Sequence, residues 1–297
     1  MPNVQATPQQ LYLKPESFQP IGSFKLRGAY NKIASLSDEE RRRGVISYSS
    51  GNHAQGVAYA ARALGARSVI VMPRNAPKIK MQSTAALGAE IVTVGTASSE
   101  RQQKAEDLAR EHGYVIIPPY NDPQIIAGQG TIGLEILEDM ADADLVLAPI
   151  GGGGLISGIS AAIKLSGSKA KVVGVEPDLA NDAQQSLHAG EIVQISAERA
   201  SSTLADGLRT QSVGPLNFEH IQAFVDDIVS VTEHEITDAM RAMVTSARLI
   251  PEPSGAVTFA AWLFHSDQLP AHGKVVAIVS GGNLEPKLLA HVLSDTQ

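Results

Sequence analysis

Short apolar runs alternate with segments of helical periodicity along almost the whole chain, and no other feature constrains the fold as strongly. That order is the pattern of a parallel sheet covered on both faces, so the fold class is α/β. From Gly44 the predicted strands are Gly44–Ile46, Ser68–Met72, Glu90–Val94 and Tyr114–Pro118, with helices between them. A second series runs through Leu145–Ile150, Lys171–Glu176, Ile228–Val231 and Val275–Ser280. Residues 44–123 are expected to make a small domain, and residues 1–43 with 124–297 a large one. The stretch from Pro177 to Phe224 reads as loop-rich and mixed.

The 297 residues suffice for two such lobes. A formal net charge of -7 argues against nucleic acid or an anionic membrane as partner and leaves a small molecule as the expected one. The chain has no cysteine, which excludes disulfides, thiolate zinc sites and thiol catalysis and fits a reducing compartment. The first residues lack the cationic start and apolar core of a secretory signal, and no run approaches the ~18 apolar residues of a membrane span. A cytoplasmic protein is expected.

Three stretches carry chemistry. "PIGGGGLISG" places Gly151, Gly152, Gly153 and Gly154 between a strand and a helix, where free backbone N–H groups and the helix dipole suit a phosphate. The run does not end in the Lys-Ser/Thr of a P-loop. It also misses G-x-G-x-x-G, because Ile156 or Ser157 takes the last position. A dinucleotide fold with Glu176 as its ribose acid is the minor alternative. "GSFKLRGAY" sets Lys25 between Phe24 and Leu26; a lysine in apolar surroundings can lose its proton near neutral pH and act as a Schiff-base amine. "SYSSGNHAQG" fills one strand-to-helix turn with small hydrogen-bonding side chains.

With "IAGQGT", "EPSGA" and "SGGN" added, these motifs stand in an order that resembles the fold-type II pyridoxal-phosphate enzymes of the threonine/serine dehydratase and serine racemase family. The resemblance implies a tryptophan synthase beta-like fold of two open, twisted, mainly parallel sheets in two lobes, the large domain binding the cofactor. It implies that Lys25 forms the Schiff base with pyridoxal 5'-phosphate and moves the Cα proton of the substrate. Gly151 to Gly154 then cup the phosphate, Asn52 bonds the ring hydroxyl, Phe24 packs on the ring, and Ser280 partners the pyridine nitrogen. Ser49, Ser50, Asn52 and His53 correspond to the substrate-carboxylate site, with Arg101 near the substrate as in the racemase-like branch. Glu252 matches an acid near the cofactor, catalytic or structural.

The same resemblance implies a divalent-cation site of Glu176, the Ala180 carbonyl and Asp182 for Mg²⁺, or Ca²⁺ or Mn²⁺, ligands of the hard-oxygen kind such ions take. It also implies a homodimer. Members of the family begin some tens of residues earlier, with a helix and a "TP" segment, whereas only Met1 to Gln10 precede "LYLKPESFQP" here; the chain also stops soon after "SGGN", so a regulatory domain and feedback by isoleucine are not expected. The expected activity is dehydration of serine, threonine or 3-hydroxyaspartate to a 2-oxo acid and ammonia. Racemisation of an amino acid is the alternative, with Ser50 as the second base, and a cofactor-binding regulator without activity is a third. His112, His188 and His220 show no ligand spacing, and Asp206 receives no role.

Overall fold

The computed structural model describes residues 10–76, 78–96, 98–271 and 273–294. Its strands are β1 (Gln10–Pro15), β2 (Val45–Ser47), β3 (Ser68–Pro73), β4 (Glu90–Val94), β5 (Val115–Ile116), β6 (Leu145–Pro149), β7 (Lys171–Pro177), β8 (Asp227–Val231) and β9 (Lys274–Val279). They form a five-stranded sheet in the order β1-β9-β6-β7-β8 and a four-stranded sheet in the order β4-β3-β2-β5. Neighbouring strands in both sheets run parallel.

The apolar runs are continuous because each sheet is buried on both faces. Leu145, Leu147, Val173 and Val275 pack in one core, while Val146, Ala148, Val172 and Val276 pack in the other. The smaller sheet repeats the division, with Val45, Ile70 and Met72 on one side and Ile46, Val69 and Val71 on the other. Successive side chains point to opposite faces, so a strand with two covered faces has no polar positions to show.

Both sheets reverse their strand order at one point. In the larger sheet the chain steps from β6 outward to β7 and β8, then returns to place β9 on the other side of β6. In the smaller one it steps from β2 to β3 and β4, then returns with β5 on the other side of β2. The loops leaving the two strands at such a point part to opposite sides and open a crevice. The residues after β6, β9, β2 and β5 are the glycine run, Ser280, the Ser49–Asn52 turn and Pro119–Tyr120.

Two elements depart from the expectations. β1 is not among the predicted strands; among the described residues it is an edge strand paired with β9 alone, and its Lys14 and Pro15 mask the signal. The run Tyr114–Pro118 is strand for two residues only, at β5. The long helix Pro123–Asp139 carries Gly128, Gly130 and Gly133 in its interior, against its own propensity. Close packing accounts for them, because a Cβ on Gly128 would lie 2.6 Å from the Arg27 carbonyl. Asp122 caps the helix by accepting from the amides of Gln124 and Ile125. The helix packs against Lys25–Ala34 on one side and Gly154–Leu165 on the other, so it sets the spacing between Lys25 and the glycine run. Residues 177–224 hold short helices at Asp182–Ala189, Ala197–Ser201 and Pro215–Phe224. No helix among the described residues is long and apolar enough to cross a membrane.

Candidate active site

The crevices of the two sheets face one cavity of ≈ 790 Å³. Phe24, Lys25, Ser49, Ser50, Asn52, His53, Arg101, the four glycines and Ser280 all line it. The predicted cofactor and substrate residues are therefore brought together, from segments far apart in sequence.

Lys25 opens the helix Lys25–Ala34. Its approach is fixed by an antiparallel bridge between Ser23 and Gly281 and by a bond from the Phe24 amide to the Ser280 carbonyl at 3.0 Å. The Lys25 amine donates to the Pro119 carbonyl at 2.7 Å. Burial pushes this amine down to about 8, against the opposing pull of Glu252. A position in the first turn of a helix disfavours a cation as well. The result is an amine that is neutral in a useful fraction near pH 7 and that faces the cavity.

Asn52 opens the helix Asn52–Ala63. Its Nδ2 donates to Glu252 Oε1 at 2.7 Å, and its Oδ1 accepts from Asn283 Nδ2 at 2.7 Å. Glu252 is buried, and burial with the nearby Asp206 pushes its carboxyl up to about 8, while Asn52 and Lys80 oppose the shift. His53 sits with Nε2 3.0 Å from the Ile117 carbonyl. Burial and the neighbouring Lys25 push its imidazole down to about 3, so it stays neutral and donates to that carbonyl.

Gly151–Gly154 follow β6 and lead into the helix Gly154–Leu165. Gly153 has φ +94°, a left-handed conformation, and a Cβ there would meet Asn217 Cβ at 2.7 Å. A Cβ on Gly152 would strike the Tyr120 ring at 2.3 Å. The run is thus a bare backbone cradle at a helix start, which is what a phosphate monoester requires. Ser280 Oγ donates to the Ser254 carbonyl at 3.3 Å, and Ser254 Oγ accepts from the Gly207 amide at 2.9 Å. A desolvated amine, a phosphate cradle and a neutral hydroxyl on one cavity fit pyridoxal phosphate.

Arg101 lies on the cavity wall, half-buried, with its guanidinium on the Thr96 carbonyl at 3.0 Å. Burial pushes its pKa down. Lys80 and Asp206 pair at 2.6 Å across the wall. Glu176 and Asp182 are not among the lining residues; they lie at the end of β7 and the start of the next helix, both fully buried. Glu176 accepts from the Ala183 amide at 3.1 Å and from the Gln184 amide at 2.8 Å. Both carboxylate oxygens of Asp182 are buried; the backbone amides of Asp182 and Val213 approach them, and neither closes a hydrogen bond. Burial pushes both acids up, Asp182 to about 7, and the charge of Asp182 raises Glu176 further. Two unsatisfied carboxylate oxygens beside a second acid fit a hard cation. Among the described residues no cluster of three or more His, Cys, Asp or Glu is present, so carbonyls and water would complete its shell.

Sequence alone misses the Pro119 carbonyl, Tyr120 and Lys80, and it gives no role to Tyr48 and Asn283, although both sit in quoted motifs. Tyr120 follows the strand on the other side of β2 and was within reach of a switch-point argument; the rest depend on tertiary approach.

The family described as pyridoxal-phosphate dependent enzyme matches residues 2–281. The chain is 45% identical to the L-threonine ammonia-lyase of Thermotoga maritima, over 98% of this chain and 71% of that protein. It is 42% identical to the L-threo-3-hydroxyaspartate ammonia-lyase of Saccharomyces cerevisiae, over 96% of this chain and 86% of that one. Among solved structures, maize serine racemase superposes with a TM-score of 0.91 at 37% identity, covering 96% of this chain and 87% of that one.

Proposed function

The chain belongs to the pyridoxal-phosphate dependent enzymes, and on that premise we propose that it is a dehydratase converting serine, threonine or 3-hydroxyaspartate to a 2-oxo acid and ammonia. One observation carries the proposal: the desolvated Lys25 amine faces the same cavity as the glycine cradle. Bound there, pyridoxal phosphate supplies an electron sink for the charge left at Cα when its proton departs.

Gly151–Gly154 would hold the phosphate, Asn52 the ring hydroxyl and Phe24 a ring face. Lys25 takes the Cα proton. Ser49, Ser50, Asn52 and His53 stand at a helix start, where side chains and free amides hold the substrate carboxylate. Arg101 adds positive charge on the same wall. Ser280 would offer the ring nitrogen a hydroxyl and not a carboxylate, so no charge would fix a proton there, which would favour loss of the β-hydroxyl over transfer of the amino group. Loss of the Cα proton and the β-hydroxyl leaves an enamine acid, which tautomerises and is hydrolysed to the 2-oxo acid and ammonia.

Glu176, the Ala180 carbonyl and Asp182 would hold Mg²⁺, or Ca²⁺ or Mn²⁺, and neutralise two buried acids. The proposal extends to a cytoplasmic homodimer, which rests on the family resemblance and the cysteine-free composition. It also divides the chain into a small domain, 44–123, and a large one, 1–43 with 124–297; the separate sheets support that division, although Ile21, Leu26, Ala29, Ile33, Leu36 and Ile125 pack in the core of the smaller sheet.

Ser50 on the cavity supports a second reading, racemisation with Ser50 as the base opposite Lys25. The test is one set of assays on purified holoenzyme. Lys25→Ala is expected to lose the visible cofactor band and all turnover. Ser50→Ala separates the readings: loss of D-serine formation with elimination intact makes Ser50 a base, whereas a fall in both makes it a carboxylate ligand. Retention of the band and of turnover by Lys25→Ala contradicts both.

A further inference from the structure

We infer that Asn283 is a positioning residue that fixes which end of the Asn52 side chain faces the cavity. The inference rests on the reading of Asn52 as the partner of the cofactor's ring hydroxyl. Asn283 does not line the cavity; it stands behind Asn52, three residues beyond Ser280.

The orientation follows from one group that cannot turn. The backbone carbonyl of Ile21 only accepts, and Asn283 Nδ2 lies 2.8 Å from it. That amide's second N–H points at Asn52 at 2.7 Å, so the atom it meets must be an acceptor, Asn52 Oδ1. Asn52 Nδ2 is then the end turned to Glu252 Oε1, at 2.7 Å. An asparagine amide has nearly the same shape either way round, and a protonated Glu252 would accept or donate equally well. Without Asn283 the choice would fall to Glu252; with it, Ile21 dictates a donor at Asn52. One N–H goes to Glu252, which leaves the other for a ligand of the cavity.

The same side chain touches the approach to Lys25. Gly22 has φ +73°, and a Cβ on it would come within 2.5 Å of Asn283 Oδ1. Asn283 therefore joins the turn before Lys25, the start of the Asn52 helix and the segment that carries Ser280. A simple brace for that turn would affect stability and nothing else.

The test compares Asn283→Asp, Asn283→Ala, Asn52→Ala and the double alanine variant as holoenzymes without substrate, read by absorption spectrum and by pyridoxal phosphate affinity. The carboxylate introduced by Asn283→Asp has the size of the native side chain but no N–H, so the Asn52 amide would turn round and face the cavity with oxygen. The expected result is a changed ratio of visible to near-ultraviolet absorption and binding roughly three- to ten-fold weaker. Asn283→Ala should add nothing to either readout once Asn52 is alanine. Native spectra and affinity in both Asn283 variants, while Asn52→Ala changes them, would overturn the inference, as would additive effects in the double variant. If Asn52→Ala itself changes neither readout, the assignment of Asn52 to the ring falls, and the inference with it. Should Asn283→Ala fail to fold, the near-isosteric Asn283→Asp decides.

Discussion

Burial gives Glu252 a pH signature of its own. Its carboxyl titrates at about 8 in the folded chain, against 4.5 when unperturbed, chiefly because it is buried. Between those values the folded state holds a proton that the unfolded state has released, so stability falls as pH rises through this window. The loss should be on the order of a few kcal/mol. Urea denaturation of the cofactor-free protein at several pH values measures it, and Glu252→Gln, which stays neutral, should flatten the curve over that range. Equal slopes in the two proteins would show that Glu252 titrates normally. At this scale the sequence revealed the groups that sit in motifs, Lys25 and the glycines among them. It did not reveal the Pro119 carbonyl, 94 residues from Lys25, or the contact that Asn283 of "SGGN" makes with Asn52, 231 residues away, because neither contact exists until the sheets are formed.

Among the elements, the turn from β6 into the helix Gly154–Leu165 depends on backbone that a side chain would strain. Gly153 adopts φ +94° with Asn217 packed where its Cβ would stand. Gly153→Ala is expected to destabilise the protein by about 2 kcal/mol or more and to loosen the cofactor, as urea midpoints and binding titrations would show. An unchanged midpoint would mean that the turn can relax. The strands were legible because parallel strands buried on both faces read as unbroken apolar runs. β1 and the helix Pro123–Asp139 were not legible, for opposite reasons. β1 is an edge strand whose positions are only partly covered, and the helix trades propensity for glycines that allow Arg27 and Gly158 to approach.

At the scale of the whole molecule, the site exists only where two sheets meet. Asn52 reaches Glu252 across 200 residues and Lys80 reaches Asp206 across 126, and both contacts join the block of the smaller sheet to that of the larger. A ligand that fills the space between them binds the folded state alone and raises its stability by mass action. The proposed cation should act in the same sense: Mg²⁺ is expected to raise the melting temperature of wild type and not of Asp182→Asn, and an equal rise in both would place the ion elsewhere. The sequence order of the motifs pointed to this shared cavity, while its walls had to await the two strand-order reversals. The most direct measurement is formation of 2-oxo acid and ammonia from L-serine, L-threonine and the 3-hydroxyaspartates by purified holoenzyme. The dehydratase predicts equimolar 2-oxo acid and ammonia from at least one of them, abolished in Lys25→Ala; no product from any, or the same yield from Lys25→Ala, would contradict it.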